Sequence, residues 1–168
     1  MSMVLINYLI LFVVGMLPIS EVRGAIPLAF VFFSGTELYL GILLSVIGNL
    51  LVCPPLLHFL RYLENTLLNT KKEDRITRTI KSLYLRAIKL ARKKSESVTK
   101  YGLIGLTIFV AIPLPVTGAW TGTLMAHFLG FNRAKSILAI ELGVIIASIL
   151  VFIVVYTGVE ILKRLFFF

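Results

Sequence analysis

Hydrophobic positions run along this chain in four long stretches, 3–33, 38–60, 101–131 and 136–162, the second and third set apart by a long polar segment and the others by a few residues. Each reaches the roughly 20 residues that a helix needs to cross a bilayer. The first and third are interrupted by prolines and glycines, around Pro18–Pro27 and Pro113–Gly122. The interruptions recur at an offset of 95 residues: Pro18 matches Pro113, Gly35 matches Gly130 and Gly48 matches Gly143. Leu11/Leu106, Phe33/Phe128, Ile42/Ile137 and Leu43/Leu138 fall in the same register. Two broken apolar segments at corresponding positions of two halves point to a transporter's binding site.

Length decides how the broken stretches fold. A break in the middle leaves two arms of about 12–15 residues, which at ~1.5 Å per residue reach only ~18–22 Å, short of a ~30 Å hydrocarbon core. Re-entrant hairpins are therefore expected rather than pairs of full spans. Backbone that turns at membrane depth must be buried in protein or line a wet cavity. The expected fold is an all-α integral membrane protein, a single membrane domain over 1–168. Its first repeat, 1–60, holds hairpin 3–33 and transmembrane helix 37–60. Its second, 101–168, holds hairpin 101–131 and transmembrane helix 135–162. Pro54-Pro55 should kink the first transmembrane helix. Gly41-xxx-Ser45 and Gly143-xxx-Ala147 offer small-residue packing faces.

Composition agrees with the pattern. Hydrophobic residues make up 58% of the chain and the mean hydropathy is +0.97, more apolar than the ~45–50% of soluble domains. The opening Met-Ser-Met-Val has no side-chain charge and no small-residue cleavage site follows, so the first stretch reads as a membrane segment and not a signal peptide.

Charge supplies the orientation. The net +9 is concentrated between Lys71 and Lys100, where eleven Lys/Arg face three acids. By the positive-inside rule, loop 61–100 is cytoplasmic. Ile76, Ile80, Leu83, Ala87 and Ala91 recur at helical steps, while Arg75, Arg78, Lys81, Arg86, Lys89 and Arg92 lie largely elsewhere. A basic amphipathic helix on an anionic membrane surface is expected there. The apolar flanks and the lack of a recognition motif argue against nucleic acid as a partner. A hairpin returns to its own side, so each half crosses once. The first hairpin then enters from outside and the second from the cytoplasm, which makes the repeat inverted.

The two breaks carry the candidate chemistry. The first reads Pro18-Ile-Ser-Glu21-Val-Arg23-Gly24-Ala-Ile-Pro27. A charged side chain facing lipid at mid-bilayer costs roughly 2.5–3.5 kcal/mol, so Glu21 and Arg23 must face each other, a partner segment or water. They are either a hairpin-internal ion pair or a substrate- and proton-binding pair in a central cavity. The second break has no charge: Pro113-Leu-Pro115-Val-Thr117-Gly118-Ala-Trp120-Thr121-Gly122. Gly118 and Gly122 allow close backbone approach. Thr117 or Thr121 is expected to cap the outgoing arm, whose free N–H groups suit an anion. Trp120 is expected in the cavity wall.

Glu141 either pairs with Arg133 or Lys135 or reaches the cavity, and His127 is a candidate for a proton relay. Asn49 is expected to bond across helices, and Glu37 to help cap a helix start. Cys53, the single cysteine, reads as a small buried apolar residue. No nucleotide-binding, hydrolase or metalloprotease motif is present and the histidines lack metal-ligand spacing. No catalysis, cofactor or metal is expected.

Ile19–Pro27 and Phe109–Gly122 resemble the two signature segments of the small multidrug export proteins of bacteria and archaea, and the likeness extends to Lys100-Tyr-Gly102 and over nearly the whole chain. That family is similar to the DedA/VTT superfamily, whose members have opposed re-entrant hairpins and are implicated in proton-linked transport and in flipping or scrambling phospholipids and polyprenyl-phosphate carriers. The resemblance implies a multi-pass transporter in the plasma membrane of a bacterium or archaeon. Its partners would be membrane lipids and an amphipathic small-molecule or lipid substrate. DedA-type proteins place acids in the first hairpin and arginines in the second. Here Glu21 fits, the second turn has no arginine, and Arg23 comes from the first. An ion-coupled transporter is the leading reading. A scramblase or flippase without ion coupling and a membrane-shaping or partner-docking protein are the alternatives. A homodimer is expected, since two hairpins and two spans give little shelter to a polar site.

Overall fold

A computed structural model describes residues 2–69, 79, 82, 96–114 and 117–167. The basic positions Arg75, Arg78, Lys81, Arg86, Lys89 and Arg92, with the amphipathic helix expected there, lie outside the described residues, as does Pro115.

Among the described residues the chain is helical. The helices are α1 (Ser2–Met16), α2 (Glu21–Phe32), α3 (Gly35–Leu50), α4 (Cys53–Asn69), α5 (Glu96–Ala111), α6 (Ala119–Phe128) and α7 (Arg133–Phe167). Shifting α1 by 95 residues gives 97–111, almost the bounds of α5, and shifting α2 gives 116–127, close to α6. The α3–α4 pair shifts to 130–164, the territory of α7. Among the described residues two stretches are long and apolar enough to cross a membrane, Gly35–Thr66 and Arg133–Ile161.

The first of these is broken at Leu51–Val52. Pro54 and Pro55 have no N–H to return to the carbonyls four residues earlier, so α3 stops and the prolines fall in the first turn of α4, where they are tolerated. No proline occupies the corresponding place in the second half, and α7 runs unbroken for 35 residues. At the other end of the repeat, Glu96–Ala111 is bent at Gly102, whose φ of 57° and ψ of −129° leave the helical region. Only glycine adopts that conformation readily.

Packing repeats along with the elements. α1 lies on α3 and α5 lies on α7, while α2 reaches across to α7 and α6 to α4. A Cβ on Gly48 would strike the carbonyl oxygen of Phe12; one on Gly143 would lie 2.8 Å from that of Thr107, the residue 95 positions after Phe12. Each glycine thus lets two helix backbones touch. Gly15 plays the same part against the Ser45 carbonyl. Leu11 and Leu106 are both fully buried in these contacts.

Pro27, Gly24 and Gly122, expected in the turns, are helix residues instead. Pro27 lies inside α2. Gly24 follows one turn after Ser20, and Gly122 sits in α6, where an added Cβ would meet Val110 Cγ2 at 2.6 Å. The turns themselves, among the described residues, are 17–20 in the first half and 112–114 with 117–118 in the second.

Outward faces are apolar. Leu5, Ile104 and Val154, on α1, α5 and α7, are each 70% exposed. Many aliphatic residues beside them are exposed as well, and an extended apolar surface of this kind is unusual for a protein that faces water. Such a surface suits hydrocarbon.

Candidate functional site

After α1 ends at Met16 the chain reverses tightly. The Ser20 hydroxyl donates to the Val14 carbonyl at 2.6 Å, and the Glu21 N–H bonds the Leu17 carbonyl at 3.0 Å. Glu21 then opens α2 with φ at +48°, the left-handed region that a residue of this size rarely adopts. Holding it there costs about 1–3 kcal/mol. The side chain is buried, with the residue only 4% exposed.

The second turn leaves α5 through Ile112–Leu114 and re-enters helix at Gly118, whose φ of 167° is plain extended backbone. The Thr117 hydroxyl lies 2.6 Å from the Ile112 carbonyl and 2.9 Å from that of Leu114. It is therefore turned back onto its own turn. Thr121 bonds the Gly118 carbonyl at 3.4 Å. Neither threonine caps α6, and Gly118 at the N-cap position has no side chain to do so.

The missing cap comes from the other half of the chain. The Trp120 N–H donates to Glu21 Oε1 at 3.3 Å, and the Ala119 N–H faces the same carboxylate. The anion at the positive end of α6 is thus the protein's own Glu21, a helix-dipole interaction supplied across 99 residues. Gly118 makes it possible, since any Cβ there would collide with the carboxylate. Arg23 completes the clasp: Nη1 donates to the Leu114 carbonyl at 2.6 Å and Nη2 to Thr117 Oγ1 at 3.1 Å. Nη2 also lies 4.0 Å from Glu21 Oε2. Arg23 and Glu21 therefore neutralise each other while each satisfies backbone groups of the opposite turn.

Trp120 is not in the cavity wall as expected. Its indole Nε1–H donates to the Met16 carbonyl at 2.9 Å, closing the free C-terminal end of α1. A cavity of about 480 Å³ opens between the turns, lined by Pro18, Ile19, Glu21, Arg23, Pro113, Thr117 and Thr121. Its wall is an ion pair and two hydroxyls set among apolar side chains, a surface for an amphipathic guest.

Other expected site residues lie elsewhere. His127, whose side chain is 3% exposed, has Nε2 3.5 Å from Glu64 Oε2 at the far end of α6, where Arg61 and Asn65 line a separate cavity of about 400 Å³. Glu141 belongs to neither ion pair among the described residues and does not line the central cavity. Cys53 is buried, as a small apolar residue would be. Asn49 is buried, yet neither its Nδ2 nor its Oδ1 has a partner among the described residues, so the expected interhelical bond is not made. Glu37 lies in the first turn of α3, suited to the helix dipole. No group of His, Cys, Asp or Glu among the described residues is placed to hold a metal.

The partners of Glu21 and Arg23 escape sequence reasoning because they are mostly backbone groups, which carry no residue signature. Glu64, Arg61 and Asn65 sit beyond the apolar run on α4 and reach His127 only through the packing of α4 on α6.

A family model described as "Putative small multi-drug export protein" matches residues 21–150, from Glu21 to about the middle of α7. No curated protein and no solved structure matches the chain.

Proposed function

The chain belongs to the small multi-drug export family, and from that premise we propose that it is an ion-coupled membrane exporter of an amphipathic substrate, working through the cavity between its two turns. The observation that carries this reading is the clasp. Glu21 and Arg23, at the start of α2, close on Leu114 and Thr117 of the opposite turn and on Trp120 at the start of α6, beside a cavity of about 480 Å³.

The clasp also supports re-entrance and an inverted arrangement in the plasma membrane. With 61–100 cytoplasmic, two opposed hairpins that spanned fully would hold their turns a bilayer apart, ~30 Å or more. Here Arg23 touches Leu114 at 2.6 Å. Turns that meet must both stop near the midplane, one from each leaflet, as in transporters built from inverted repeats. Polar backbone at that depth is then satisfied by the opposite turn, as hydrocarbon requires.

In this reading Glu21 carries the coupling proton. Ionised, it holds α6 and Arg23; protonated, it releases both, and the clasp can open toward one side or the other. The carboxylate is the only acidic group in the central cavity wall among the described residues.

The test is flux from reconstituted vesicles under an imposed pH gradient, using a fluorescent amphipath. Wild-type protein should drive it and Glu21→Gln should abolish it, with helix content retained. Undiminished, still gradient-driven flux through Glu21→Gln would contradict the assignment. Equal flux with and without a gradient would replace it with passive scrambling of the DedA/VTT kind.

A further inference from the structure

Three features of the clasp do not fit a purely structural ion pair. Glu21 is held loosely: its bond from Trp120 is 3.3 Å and its approach to Arg23 is 4.0 Å, against ~2.7–2.9 Å for a well-made charge-assisted bond. Its backbone is also strained, at φ +48°. Arg23 differs on both counts, anchored at 2.6 Å and 3.1 Å to the opposite turn. Its Nε, although buried, has no hydrogen-bond partner among the described residues. A fixed cation with a spare donor thus stands beside a weakly held anion, at the wall of a cavity.

We infer that the Glu21 carboxylate is a built-in competitor, filling the place where the anionic headgroup of the transported amphipath binds. This rests on the exporter reading and names its substrate class. The headgroup would take the N–H groups of Ala119 and Trp120 together with Arg23, while Pro18, Ile19 and Pro113 receive the apolar part. Two carboxylate-like anions cannot share one guanidinium and one helix terminus, so the substrate enters when a proton neutralises Glu21. Arg23, on the same helix, is the one ionisable group that acts on Glu21 among the described residues. Among the described residues the second turn and α6 bring the hydroxyls of Thr117 and Thr121 and the backbone of Leu114, Ala119 and Trp120 to the clasp and the cavity beside it, and none of these groups titrates. Linkage makes the effect reciprocal: anion binding draws a proton onto Glu21 as strongly as the proton favours the anion.

Trp120 is the single tryptophan of the chain and its backbone bonds Glu21, so its fluorescence reports the site directly. The probe is 1-octanesulfonate, whose charge is fixed across pH 5.5–8, titrated into the full chain in lipid nanodiscs. Wild-type affinity should rise as pH falls, approaching about tenfold per pH unit where Glu21 is ionised, the limit for one linked proton. Glu21→Gln should bind with no pH dependence and, at pH 8, at least about tenfold more tightly than wild type. Weaker binding by Glu21→Gln, or a surviving pH slope, overturns the inference. Wild type alone gives a second readout that needs no variant: about one proton taken up per octanesulfonate bound in weak buffer, where no uptake is the contrary result. Methanesulfonate should bind at least about tenfold more weakly than octanesulfonate; equal affinity would mean a free-anion site and overturn the amphipath assignment. Octyltrimethylammonium should not compete, and competition by it would also overturn the proposal. Competitive, proton-linked binding without flux would sink the exporter reading alone, while flux without linked binding would sink this inference alone.

Discussion

Replacing Gly118 by alanine isolates the contact on which the clasp depends. The backbone at 118 is extended, so alanine is not strained there and any cost comes from what its Cβ meets. That Cβ would lie 2.5 Å from Glu21 Cδ and 2.6 Å from Oε1, whereas ordinary contact begins near 3.4 Å. Oε2 lies closer still, so the carboxylate must withdraw by more than about an ångström, which takes the 3.3 Å bond from Trp120 beyond hydrogen-bond reach. Losing one hydrogen bond to a charged group costs roughly 1.5–3 kcal/mol, so Gly118→Ala should destabilise by about 2 kcal/mol. The assay is a double-mutant cycle with Glu21→Ala, read by reversible unfolding in mixed micelles. Once the carboxylate is gone the three atoms nearest the added Cβ are gone with it, and the same substitution should cost less than about 0.5 kcal/mol, leaving a coupling of at least about 1 kcal/mol of the kind seen between touching residues. Equal costs in both backgrounds would refute the contact.

Further outcomes follow from the packing and the membrane reading. Gly48→Ala and Gly143→Ala should each lower stability by about 1–3 kcal/mol in thermal unfolding, as overpacked helix contacts do, whereas Gly158→Ala, which meets nothing within 4 Å, should be neutral or stabilising by up to about 1 kcal/mol. Trp120→Phe should lose the bond to Met16 and about 1 kcal/mol, measured in the same way. Val154→Lys, on the apolar outer face, should cost about 2.5–3.5 kcal/mol in a membrane-insertion assay, whereas the same change on a water-facing surface would cost next to nothing. Single cysteines at Thr36 and Asn132, in a Cys53→Ala background, should be labelled by an impermeant thiol reagent from opposite sides of the membrane; labelling from one side would contradict the inverted arrangement.

Much of the helical frame was written in the chain as local chemistry. Pro18 and Pro113 mark the two reversals, Pro54-Pro55 the break after α3, and the matched glycines Gly48 and Gly143 the close helix contacts. Glu21 and Arg23 stood out because charge is costly in hydrocarbon. What they touch did not, since the Leu114 carbonyl and the Trp120 N–H exist at every position and only the fold selects them. Thr117 illustrates the limit: a threonine before a helix suggests a cap, but its hydroxyl binds its own turn because Glu21 already holds the helix end. Trp120 likewise suggested a wall and proved to be a tie to α1. Glu141 and His127 were polar residues in apolar helices, and nothing local distinguishes a residue aimed at the central cavity from one aimed at another helix.

The central claim is that the two turns meet inside the membrane, and a distance measurement tests it most directly. With spin labels on Ile19→Cys and Leu114→Cys in a Cys53→Ala background, pulsed EPR of the protein in bilayers should give a separation well short of the ~30 Å hydrocarbon thickness. Turns a bilayer thickness apart would mean full spans, and would contradict the account.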